Sequence, residues 1–298
     1  MEIIKVYVGA DRSQALAIKV LEFSIKRNTS SMVEVIPMVD LPVPVPKDPR
    51  NSQRTGFSFS RFCIPKLANN KGKAIYLDAD MIVFGDIRNI WDINLNGKTI
   101  AIQSDVLNAV GSTEKKGAPK KRIKQCAVML MDCEKAKWDI EVIIKQMDSM
   151  EFSYEDLMYN LCILAEDQIA YSIPANWNSL EHFDSNTCLL HYTDVLTQPW
   201  TSCRNRFGFL WLNEVRLMLK SGKLTLSDIK KEISEGYFRP SLLRDIKFRH
   251  LIPKILLPFF DFINEVADKA SGYVAHKAVY EAKKIRELAI KKHMSSLG

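Results

Sequence analysis

The segment running from Lys73 through Ala-Ile-Tyr-Leu-Asp-Ala-Asp-Met-Ile-Val to Phe84 constrains this chain more than any other. A short apolar run ends in two carboxylates one residue apart, and an apolar run resumes after them. Carboxylates at the end of a buried strand are costly unless a positive group meets them. In extended backbone, residues i and i+2 point to the same side, so Asp78 and Asp80 can converge on one cation. A few hard oxygen ligands suit Mg²⁺ or Mn²⁺, with a substrate phosphate completing the shell. The plainer reading of the same pair is a strand-to-turn cap.

At 298 residues the chain can bury a substantial core, and 47% hydrophobic with 26% charged residues is the balance of a globular protein. The six cysteines are scattered, with neither a C-x-x-C nor zinc-like spacing. Apolar surroundings such as Leu161-Cys162-Ile163-Leu164 predict buried, reduced thiols. The opening Met1-Glu-Ile-Ile-Lys-Val-Tyr-Val reads as a strand rather than a leader, and no apolar run reaches the roughly 18 residues of a membrane span. These features point to a cytoplasmic protein. From Lys247 to Gly298 there are 10 Lys/Arg against 5 Asp/Glu, so most of the net +7 sits in the tail.

Apolar periodicity predicts strands over 3–9, 33–39, 74–77, 99–103, 127–131 and 169–173, and helices over 15–27, 57–67 and 155–164. The proline-rich stretch Leu41 to Pro49 can be neither helix nor inner strand. Strands alternating with helices predict an α/β sheet, whose ligands sit at strand carboxyl ends, where Asp78 and Asp80 fall. Beyond about residue 210 the pattern turns helical, over 209–220, 226–235 and 264–292.

The order of several motifs carries a resemblance: Phe57 to Leu67, Ile75 to Val83, Asp167-Gln168, Trp177-Asn178, His191-Tyr-Thr and Pro199-Trp200. Over roughly residues 3 to 206 the chain resembles the retaining, metal-dependent sugar transferases of glycosyltransferase family 8. That resemblance implies a GT-A fold, a Rossmann-like nucleotide-sugar-binding sheet, over residues 1–210. A helical, basic and aromatic C-terminal appendage follows over 211–298. It implies a hexosyltransferase acting from a UDP-sugar donor onto a glycan or lipid-linked acceptor, as in polysaccharide or lipopolysaccharide assembly.

Carried over residue by residue, Asp78 and Asp80 hold Mn²⁺ (or Mg²⁺) against the donor diphosphate, with Ala79 between them and His191 as the third ligand. An imidazole favours Mn²⁺. Val8, Ala10 and Asp11 meet the base and ribose, although Asp11 is equally placed to cap a turn. Arg61 lies near the donor, and Asp105 and Gln125 near the transferred sugar. Asp167 binds sugar hydroxyls, and Gln168 lies beside the anomeric carbon. Glutamine is a poor nucleophile, so the resemblance favours a front-face transfer.

Three positions depart from the family pattern. Gln198 replaces a lysine that contacts the diphosphate, leaving Arg204 or Arg206 to supply the charge; Asp194 replaces a glycine; and Gln125 replaces an asparagine. The cationic loop from Gly111 to Lys124 could close over a diphosphate. The aromatic stretch Leu251 to Ile263, beside a basic tail, suits an anionic membrane surface at the inner face, or packing on the main domain or a partner subunit. No nucleic-acid-binding motif is present. Two other classes stay open. One is a haloacid dehalogenase-type phosphatase, whose D-x-D would normally lie near the amino terminus and be followed by Thr or Val where Ile82 stands. The other is a catalytically silent relative that binds glycans or membranes.

Overall fold

The computed structural model describes residues 2–103 and 124–296. Asp105 and all of the cationic loop except Lys124 fall outside the described residues. The first strand, β1 (Ile4–Ala10), is almost wholly apolar because both of its faces are buried, Ile4, Val6, Val8 and Ala10 in one core cluster and Tyr7 in another; parallel β2 (Val33–Val39) and β3 (Lys73–Asp78) pair with it on either edge. The next strands are β4 (Met81–Val83), β5 (Ile100–Gln103), β6 (Gln125–Asp132), β7 (Ile169–Ile173), β8 (Ser179–Leu180) and β9 (Leu189–His191). Six of these form one sheet in the order β2-β1-β3-β6-β5-β7, with β6 antiparallel to both of its neighbours. The other three form a small second sheet, β4-β9-β8.

The helix Ala15–Arg27 matches its sequence reading and buries Leu16, Ile18, Val20, Leu21 and Ile25. It packs against the small sheet and the helix Gly208–Lys220, to which Arg27 is tied by an ion pair with Glu214 at 2.5 Å. One core cluster joins Leu16 and Val20 to Ile82, Leu190, Trp200, Trp211, Phe238 and Ile246. Trp200 stands 5.5 Å from Trp211, ring centre to ring centre, so the Pro199-Trp200 motif is a packing anchor.

Several predicted elements differ in the structure. The helix expected over 57–67 is a 3₁₀ turn (Ser60–Cys63) followed by a single turn, Ile64–Leu67. The helix expected to reach Leu164 stops at Asn160, because Leu161 takes a left-handed conformation at φ 50°. That turn leaves Cys162 exposed rather than buried; none of the six cysteines is disulfide-bonded. The long helix expected over 264–292 is two, Leu257–Ala270 and Lys277–Ser295. Gly272 separates them at φ 75°, a conformation glycine adopts without a Cβ penalty. Two short helices, Leu226–Ser234 and Leu242–Phe248, precede this pair. Fully buried Asp245 accepts from Arg239, Arg249 and Asn264, fastening the helix Leu257–Ala270 to the body through paired charge. No helix among the described residues is long and apolar enough to cross a membrane.

Candidate active site

Backbone register brings the metal-ligand candidates together. Asp78 ends β3, the chain turns through Ala79 and Asp80, and β4 starts at Met81, which pairs with His191 of antiparallel β9. Tyr192 N donates to the Asp80 carbonyl at 2.8 Å, locking the same register. One ligand atom from each of Asp78, Asp80 and His191 therefore lies within 4.8 Å of the other two.

Each ligand is held from behind. Asp78 Oδ1 accepts from the Tyr76 hydroxyl and, at 3.4 Å, from Arg61 Nη2. Arg61 is buried, donates to the Cys126 carbonyl, and stacks 4.6 Å over the Tyr76 ring. Burial pushes the Tyr76 pKa well above its ordinary value, so the phenol stays a donor. Gly9 makes room for this group: a Cβ there would stand 2.4 Å from the Tyr76 hydroxyl. Asp80 Oδ2 accepts from Gln198 Nε2 at 2.8 Å, and the same amide also donates to the Tyr192 carbonyl. The residue in the family lysine's place thus orients a metal-ligand candidate instead of carrying charge. Arg204 is engaged by Glu265 and Arg206 lies over Phe207, so neither pairs with the triad.

His191 is oriented through two amides with a fixed direction. The Ala175 carbonyl can only accept, so Gln103 must present Nε2 to it, at 3.2 Å. Gln103 Oε1 then faces Asn178 Nδ2 at 3.0 Å, and Asn178 Oδ1 faces His191 Nδ1 at 2.9 Å. The proton of the neutral ring must sit on Nδ1, which leaves the Nε2 lone pair facing Asp80 Oδ1 at 3.1 Å. Two acceptors facing each other at this distance repel unless a proton or a metal cation lies between them. Asp80 Oδ1 is buried with no hydrogen-bond donor, as this geometry requires. Burial disfavours a charged imidazole, but the carboxylates of Asp80 and Asp78 outweigh it and raise the His191 pKa. Two carboxylates and an imidazole lone pair fit a divalent transition metal. Neither amide stands out in the sequence: Asn178 entered only as part of a motif, and Gln103 as a strand end.

The remaining candidates divide. Val8 and Ala10 are buried on β1, and Ala79 N donates to the Gly9 carbonyl at 3.2 Å, so all three lie beside the acidic pair. Asp11 caps a 3₁₀ turn by accepting from Ser13 N, as its alternative reading had it. Gln125 is buried opposite Gln103, at the same sheet edge as Asp78. Asp167 and Gln168 are not brought to that edge. β7 runs parallel to β5 and starts just after Gln168, whose carbonyl accepts from Thr99 N ahead of β5. Both residues therefore stand at the opposite end of the sheet from Asp78 and Gln103. The physical reason is the direction of β7, which carries the chain back across the sheet between Gln168 and Trp177.

A family model described as glycosyl transferase family 8 matches residues 11–203. Protein CDI of Arabidopsis thaliana is 25% identical over 248 residues, which is 76% of this chain and 91% of that protein. The galactosyltransferase LgtC, solved with donor and acceptor sugar analogues, superposes with a TM-score of 0.51 at 15% identity, covering 71% of this chain and 95% of LgtC. The apo form of GlyE from Streptococcus pneumoniae TIGR4 gives 0.50 at 18% identity, covering 72% and 60%. The bifunctional glycosyltransferase WbbM gives 0.50 at 12% identity, and this chain spans about half its length, 49%. At such identities the solved structures speak for the fold alone.

Proposed function

The chain belongs to glycosyl transferase family 8, and from that premise we propose that it moves a hexose from a UDP-sugar to a glycan or lipid-linked acceptor, with retention and with Mn²⁺ held by Asp78, Asp80 and His191. The observation that carries this reading is the convergence of three ligand atoms in which a lone pair on His191 Nε2 faces an unpartnered carboxylate oxygen. When bound, the metal would supply Lewis-acid stabilisation to the leaving diphosphate. Arg61 and Tyr76 fix Asp78, Gln198 fixes Asp80, and Asn178 fixes His191, so the ligands need no reorganisation on binding.

The transfer is framed without a protein nucleophile. The acceptor hydroxyl attacks the anomeric carbon on the face the diphosphate leaves; the carbon–oxygen bond to the diphosphate breaks, and the hydroxyl proton passes to the departing phosphate oxygen. Asp167 and Gln168 take no part in it from the far end of the sheet. Calorimetry with UDP and a panel of UDP-sugars, with Mn²⁺ and with EDTA, tests the reading. Binding that requires Mn²⁺ is expected, and no binding to any of them with the metal present would end it.

We further place residues 211–298 as an appendage whose helix Leu257–Ala270 meets an anionic membrane surface. Phe259, Phe262, Ile263 and Val266 recur at helical spacing and are 66, 59, 38 and 49% exposed. Ile255, in the turn before them, is 87% exposed; Lys254 stands in that same turn, and Lys269 lies one helical turn beyond Val266. Packing on the body of this chain does not account for these aromatics. The variant Phe259→Ser/Phe262→Ser is expected to lose most of its sedimentation with phosphatidylglycerol vesicles and to keep its UDP affinity. Undiminished sedimentation would reject the membrane assignment.

A further inference from the structure

The terminal helix, Lys277–Ser295, lies outside the family-matched residues, yet it returns to the edge of the sheet that carries the candidate site. His276 Nε2, just ahead of it, donates to the carbonyl of Val195, in the loop after His191, at 2.7 Å. Within the helix, Arg286 Nη2 donates to the Arg50 carbonyl at 2.8 Å, and His293 faces Asp48 at 3.9 Å. The segment thus spans from the loop behind one metal-ligand candidate to the 3₁₀ turn Pro49–Asn51, which follows the proline-rich connection.

Beside this crossing is a cavity of about 470 Å³ with Asp11, Asp40, Arg54, Tyr237, Lys283 and Arg286 in its walls. That volume falls in the range of small-ligand sites, roughly 300–1,000 Å³. Its cations differ in what they have already spent. Arg12 is paired with Glu232 and Glu235, and Arg54 is paired with Glu155 and stacked on Tyr154. Lys283 makes no ion pair or hydrogen bond among the described residues, and Arg286 Nε is buried without a partner. Of the cations lining this cavity, those held in no ion pair among the described residues therefore come from the terminal helix, while Asp11 and Asp40 offer carboxylate acceptors beside them.

We propose that Lys283 and Arg286 complete the pocket for the nucleoside of the donor, which makes the terminal helix part of the binding site. A pyrimidine presents two carbonyl oxygens that an ammonium and a guanidinium can meet, and the base N–H and ribose hydroxyls can donate to Asp11 and Asp40. This rests on the UDP-sugar reading above.

The test is calorimetry of UDP with Mn²⁺ on the full chain, using wild type, Lys283→Ala/Arg286→Ala, and the charge-keeping exchange Lys283→Arg/Arg286→Lys. Mn²⁺ affinity without nucleotide serves as the control for the metal site. The alanine pair is expected to weaken UDP about tenfold, the exchange to stay within threefold of wild type, and Mn²⁺ affinity to be the same in all three. Equal UDP affinity in the alanine pair overturns the inference while leaving the donor reading intact. Tighter binding by that pair would identify the helix as an occluding segment and overturn it as well. A wild-type chain that binds no UDP with Mn²⁺ removes the donor reading and this inference together.

Discussion

Asp80→Ala is expected to lose Mn²⁺ binding and to lower sugar transfer by about a thousandfold, with the melting temperature close to wild type. Asp80 is central to the proposed site because Oδ1 faces His191 Nε2 while Oδ2 is fixed by Gln198. Its removal therefore takes away one ligand and leaves the His191 Nε2 lone pair without the carboxylate oxygen it faces. The fold should tolerate the loss. Gln198 Nε2 keeps its bond to the Tyr192 carbonyl, and the backbone bond from Tyr192 N to residue 80 does not involve the side chain. Asp78→Ala is a poorer test, because it strips buried Arg61 of its carboxylate partner and invites a stability loss that would mimic a catalytic one. Titrating Mn²⁺ by electron paramagnetic resonance, beside turnover and a thermal melt, separates the two effects. Mn²⁺-dependent turnover within tenfold of wild type in a folded Asp80→Ala protein would remove the metal from this site.

What the sequence disclosed follows the length and burial of its elements. β2, β7 and the helix Ala15–Arg27 have the limits the apolar pattern predicts, since each is long enough, or buried enough, to carry a period. The small sheet does not. β4 has three residues, β8 two and β9 three, too short for a period, although this sheet is what sets His191 against Asp80. Asp78 and Asp80 were legible because buried acids need a counter-charge; Gln103 and Asn178 were not, because a neutral amide breaks no rule of composition. Asp167-Gln168 shows the limit of a short motif. Two residues can resemble a catalytic pair, but the direction of the following strand decides which edge of the sheet receives them. Gln198 shows the converse: a departure that reads as a lost charge becomes an oriented hydrogen bond once Asp80 stands beside it.

Asn178→Leu should raise the dissociation constant for Mn²⁺ by about ten- to a hundredfold, although Asn178 contributes no metal ligand of its own. Leucine is close to asparagine in size and suits a site only 2% exposed, so packing is largely kept. What disappears is the acceptor for His191 Nδ1–H, and with it the bias that keeps the Nε2 lone pair toward Asp80. Ring nitrogen shifts at alkaline pH, where the imidazole is neutral, should show the Nδ1–H tautomer in wild type and a mixture in the leucine variant. Asn178→Asp splits structure from function in the opposite sense. A carboxylate still accepts from Nδ1–H, so Mn²⁺ affinity should stay within a few-fold of wild type. The same carboxylate meets Gln103 Oε1, acceptor against acceptor, and relieving that contact by an amide flip turns an oxygen toward the Ala175 carbonyl. The aspartate variant should therefore melt lower while binding metal, and the leucine variant should bind metal poorly while remaining folded. Equal Mn²⁺ affinity in wild type and Asn178→Leu would mean that the amide relay fills space behind His191 and does not aim it.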